Sequence, residues 1–77
     1  MMNNPFVVEQ AKRLAKRIVE SDADTTRRVA LAYNLLFSRA PTESELKHGS
    51  AFTQDDPKRW QQYAHALMIT NEMIYID

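Results

Sequence analysis

Cysteine is absent from this chain. That removes disulfides, thiolate nucleophiles and cysteine-built metal sites, and it leaves the cellular compartment open. Glycine occurs once, at Gly49, and so few glycines suit helices. An excess of either charge is also missing. Ten basic and ten acidic residues give a formal net charge of zero, with no global pull towards nucleic acid or an anionic membrane. No apolar run approaches the roughly 20 residues of a membrane-spanning helix. The opening Met1-Met2-Asn3-Asn4-Pro5 has no basic stretch leading into an apolar run, so no signal peptide is expected. Strand candidates are nearly absent. Ile74-Tyr75-Ile76 stands alone with nothing to pair with, and a further helical turn or an ordered extended tail is expected there. There is no internal repeat and no low-complexity segment.

What the chain does contain is helix punctuation. Its 77 residues leave room for a single domain, residues 1–77, near the lower size limit for a self-sufficient core. Asn4-Pro5 and Asp56-Pro57 each read as a cap followed by proline at the first helical position. Pro41 ends one helix, because it lacks an amide hydrogen and its ring clashes with the preceding turn. Thr42 can cap the next, with Glu45 reaching back as the second half of a capping box. The expected helices run from about Pro5 to Ser21, from a cap at Asp24 or Thr25 to about Phe37, from just after Pro41 to about Thr53, and from Pro57 onwards. Helical spacing gives an expected core of Val7, Ala11, Leu14, Ile18, Val29, Tyr33, Leu36, Leu46, Phe52, Trp60, Ala64 and Leu67. Arg27, Arg28 and Asn34 are expected to face away from it. Gly49 weakens the third helix by about 1 kcal/mol relative to alanine, unless it serves close approach to a neighbouring helix. The fold class expected is all-α: a small four-helix orthogonal or irregular bundle with a packed C-terminal tail.

Reactive chemistry is harder to find. His48 and His65 are not at metal-binding spacing, and each is read as structural or surface. Asp55-Asp56 sits at a helix start, where negative charge and capping explain it, and it lacks the alternation of a calcium loop. No serine has nucleophile-elbow glycines around it. No catalytic residue, cofactor-binding residue, metal ligand or cofactor is expected. Lys12, Arg13, Lys16 and Arg17 form a basic face on the first helix, the one candidate patch for an anionic partner. No aromatic is interleaved for base stacking, so it reads first as a solvated face. The corner at Pro41 invites a DNA-binding helix-turn-helix, but Glu43 and Glu45 on the following helix would repel phosphate. Arg39 ends the second helix and Glu72 lies late in the fourth. If those ends meet, a bidentate ion pair between them would lock the tail under the corner.

Asn3-Asn4-Pro5-Phe6-Val7, Arg39-Ala40-Pro41-Thr42 with Glu45-Leu46, Trp60 ahead of Ala64-His65-Ala66-Leu67, and Asn71-Glu72-Met73-Ile74-Tyr75 occur in a familiar order. Together they resemble the C-terminal end of a large domain family of unknown function. That family is common in planctomycetes and related bacteria, often beside cytochrome-c-like modules in long exported proteins. Glycine is usual in the family where Ser38 stands, and phenylalanine where Met73 stands. The resemblance carries no catalytic residues. It implies a fragment or short relative of a larger exported or cell-surface protein, with surface left for the remainder of that parent or for self-association. The function expected is therefore a non-catalytic packing or interaction module, with no membrane partner. Two alternatives stay open: a DNA-binding helix-turn-helix module, and part of an enzyme whose site is completed elsewhere and gathers His65, Glu72 or Asp56.

Overall fold

Capping chemistry sets where each helix begins and ends. The computed structural model describes the backbone of residues 5–76 and the side chains of residues 5–70. Its elements are α1 (Pro5–Ser21), α2 (Thr25–Phe37), α3 (Glu43–Thr53) and α4 (Pro57–Ile76), an all-α bundle with no strand among the described residues. Pro5 and Pro57 open α1 and α4 as expected. The Asp56 carboxylate accepts the Lys58 amide at 3.0 Å, so Asp56 is the cap of α4. Asn4, the expected cap of α1, lies outside the described residues. Asp24 takes the extended cap conformation before α2 without a side-chain capping bond. At Thr42 the capping box is complete: its hydroxyl accepts the Glu45 amide at 3.2 Å, and Glu45 accepts the Thr42 amide at 2.9 Å. Helix α4 continues through Ile74-Tyr75-Ile76, resolving that segment as helix. How the side chains of that tail pack lies outside the described residues.

Two helices end on left-handed residues that are not glycine. Ser38 closes α2 at φ 57°, its amide bonded to the Asn34 carbonyl at 3.0 Å. Gln54 closes α3 at φ 45°, and Asp55 follows at φ 60°. Left-handed backbone costs non-glycine residues about 1–2 kcal/mol each, so both corners hold strain.

The core is Ala11, Ala15, Ile18, Val29, Ala32, Tyr33, Trp60, Ala64 and Leu67. Seven of the expected core positions are in that set, while Leu14, Leu36 and Leu46 pack half-buried against it and Val7 is half-buried. Phe52 is a correction: it is 42% exposed. Helix α3 turns Gly49 and Thr53 inward instead. An added Cβ on Gly49 would lie 2.9 Å from the Tyr63 ring carbon that carries its hydroxyl and 3.1 Å from Val29 Cγ2. The missing side chain therefore lets α3 press against α2 and α4. That rotation buries the small residues and carries Phe52 to the rim. Thr53, fully buried, satisfies its hydroxyl on the Gly49 carbonyl at 2.9 Å. Helices α1 and α4 share the most extensive contact, and α3 touches α2 and α4 without reaching α1.

Candidate functional site

The α2–α3 corner carries the densest polar geometry. Arg39 forms a bidentate pair with Glu45, a partner not expected from the sequence: Nη1 to Oε1 at 2.9 Å and Nη2 to Oε2 at 3.0 Å. Glu72's side chain lies outside the described residues. The same guanidinium lies 5.4 Å from the Tyr33 ring centroid and 5.8 Å from that of Phe37, within reach of cation–π attraction. Glu45 thus serves the capping box and the ion pair together. The Arg39 guanidinium, then the Thr42 amide, hold its carboxyl down to about 2. One carboxylate ties the end of α2 to the start of α3.

Beside this corner lies an open groove of about 280 Å³, lined by Tyr33, Gly49, Phe52, Tyr63, Glu45 and His48 among others. Its rings are close: Phe52 to Tyr63 at 6.2 Å and Trp60 to Tyr63 at 5.5 Å, the latter edge to face. Arg59 stacks over Phe52 at 5.8 Å and donates to the Phe52 carbonyl at 3.0 Å. Burial pushes the Tyr63 phenol above its ordinary pKa, with the neighbouring Tyr33 phenol adding to the effect. Tyr63 Oη and Trp60 Nε1 are buried donors with no hydrogen-bond partner among the described residues. The phenol therefore stays protonated at neutral pH and packs as a ring against Trp60 and Phe52.

Arg28 was expected to face away and instead forms a three-way joint. Its side chain is only 11% exposed. Nε donates to the Asp22 carbonyl and Nη2 to the Val19 carbonyl at 3.0 Å, satisfying the end of α1. Nη1 lies 3.6 Å from Asp55, and the Thr25 hydroxyl also donates to that carboxylate. Arginine in the first turn of a helix, soon after a helix end, was the only sequence signal for this joint.

The basic face of α1 is exposed as expected: Lys12, Arg13, Lys16 and Arg17 all reach solvent. Arg13 pairs with Glu9 at 3.7 Å, both exposed. Lys12, Lys16 and Arg17 make no ion pair among the described residues. Lys12 and Lys16 stand one helical turn apart along a groove of about 330 Å³ between α1 and the first turns of α4. Ala15, Val19 and Pro57 also line it, with Glu20 and Gln61 on its rim.

Of the groups named for an enzyme site, the Glu72 side chain lies outside the described residues, and Asp56 and His65 line neither of the two grooves. Asp56 is occupied as the α4 cap, and His65 is half-buried two turns further along the same helix. His48 is exposed on α3. No three histidine, aspartate or glutamate residues gather where they could hold a metal, among the described residues. No described helix is long and apolar enough to cross a membrane.

A comparison with family models gives a match over residues 1–53, to a family described as "PSD1: Protein of unknown function (DUF1553)". It covers α1, α2 and α3 and stops before α4, a shorter span than the resemblance in the sequence, which also took in Trp60 and Asn71-Glu72. No curated protein and no solved structure matches the chain.

Proposed function

This chain belongs to the PSD1 family of proteins of unknown function (DUF1553), and we propose that it serves as a non-catalytic packing module, set against the remainder of a longer parent protein. The observation that carries this reading is the distribution of large apolar side chains. Four of the nine core residues are alanine: Ala11, Ala15, Ala32 and Ala64. Meanwhile Phe52 is 42% and Leu35 36% exposed. A small core that leaves bulky residues outside gains from covering them. The resemblance to planctomycete proteins with cytochrome-c-like modules adds the context: an exported or cell-surface parent, of which this chain is a C-terminal piece. Alone, the chain should associate with itself through the same surface. Sedimentation velocity over a broad concentration range should show reversible association that Phe52→Ser weakens. A strict monomer, unaffected by that substitution, would remove the support for this reading.

Nothing favours a DNA-reading role for the α2–α3 corner over packing. Its central arginine is committed to Glu45, and α3 begins with two acidic residues.

A further inference from the structure

We propose that the groove between α1 and α4 is a seat for a partner helix with an acidic flank. The inference rests on the reading of the chain as an interaction module and names the chemistry of one partner. The floor of the groove is apolar: Ala15 and Val19 from α1, and Pro57 from α4. A cleft between two packed helices is the natural bed for the ridge of a third, and an amphipathic helix lays its apolar face into such a groove. At about 330 Å³, the space takes a few aliphatic side chains.

Charge decides which helix fits. Lys12 and Lys16 line the groove, and Arg17, also exposed, stands in the neighbouring row with Arg13. None of the three has a carboxylate within ion-pair distance among the described residues, whereas Arg13 has Glu9. Carboxylates three or four residues apart on an incoming helix meet two lysines spaced one turn apart. Glu20, one turn beyond Lys16 on α1, also lines the groove and would repel an acid placed there. The occupant's carboxylates therefore belong at the Lys12–Lys16 end and neutral or basic residues at the other, which fixes its direction. Nucleic acid fits less well. The floor is apolar, an acid lies on the rim, and no ring is available for stacking. The lysines supply encounter rate and partner choice, and the apolar floor supplies the buried contact.

The test uses the whole chain and a fluorescein-labelled amphipathic peptide of about 20 residues, long enough to hold a helix, with leucine on one face, glutamates one turn apart on the flank of one half and neutral residues on the flank of the other. A second peptide carries lysine in place of each glutamate. The acidic peptide should bind, and more weakly as salt rises. Lys12→Glu with Lys16→Glu should lower its affinity by about tenfold or more, lower the thermal melt only slightly through the new like-charge neighbours of Glu9 and Glu20, and gain affinity for the basic peptide. Equal binding of the two peptides, or binding of neither, overturns the proposal. So does preferential lysine-dependent binding of random duplex DNA or phosphatidylglycerol vesicles. If the peptides fail while Phe52-dependent self-association persists, the acidic helix falls and the packing-module reading stands.

Discussion

At Gly49 a single hydrogen side chain decides how three helices meet. Gly49→Ala gains roughly 1 kcal/mol of helix propensity but drives a methyl into the Tyr63 ring and Val29, and overpacking of this kind costs about 1–3 kcal/mol. A net loss in the denaturant midpoint is expected. Tyr63→Phe should restore part of it, because the hydroxyl is the atom nearest the new methyl and has no hydrogen-bond partner among the described residues to lose. Tyr63→Phe alone should be near neutral or stabilising. Glu45 gives a second residue-scale prediction. Its folded pKa is about 2 against an ordinary 4.5. A carboxylate depressed on folding stabilises the protein above its unfolded pKa, and that contribution fades as pH falls from about 4.5 towards 2. Thermal melts across that window should fall more steeply for the wild type than for Glu45→Gln. The capping role of Glu45 is legible in the sequence, since Thr42 and Glu45 stand at the required spacing. Its ion pair is not, because whether Arg39 reaches Glu45 depends on how tightly the Pro41 corner folds.

Among the elements, boundaries are the most legible feature. Prolines and caps act locally, so Pro5, Thr42 and Pro57 mark their helices without help from the rest of the fold. Which face turns inward is less legible wherever small residues do the packing. In α1 the aliphatic stripe is unambiguous. In α3 the bulky Phe52 suggests one face and Gly49 with Thr53 impose another. Arg28 escapes a reading from pattern because it bonds backbone carbonyls, that of Val19 in α1 and that of Asp22 just after it. Arg28→Ala leaves those carbonyls unpaired and should cost about 1–3 kcal/mol by chemical denaturation. Asp55→Asn should cost much less, since that carboxylate is 63% exposed. At the end of α2, Ser38→Gly should stabilise by up to about 1 kcal/mol, because glycine adopts the left-handed conformation without penalty. Glycine at this place is also what the family resemblance leads one to expect.

On the scale of the whole molecule, the family match and the physical unit have different limits. The match ends at residue 53, yet α4 supplies Trp60, Ala64 and Leu67 to the core. Residues 1–53 made alone should show little helix by circular dichroism, while the full chain unfolds in one step, with Trp60 fluorescence and circular dichroism giving the same midpoint. Trp60 is fully buried, so its emission should shift to longer wavelength in that same step.

The pairing of α1 with α4 also bears on how the protein is made. Helix α1 is synthesised before α4, and its most extensive contact waits for α4, so synthesis cannot complete this bundle progressively from α1 onwards. During translation that uncovered helix is a natural client for chaperones. A pause in elongation between the two helices would lengthen the interval in which nascent chains can aggregate.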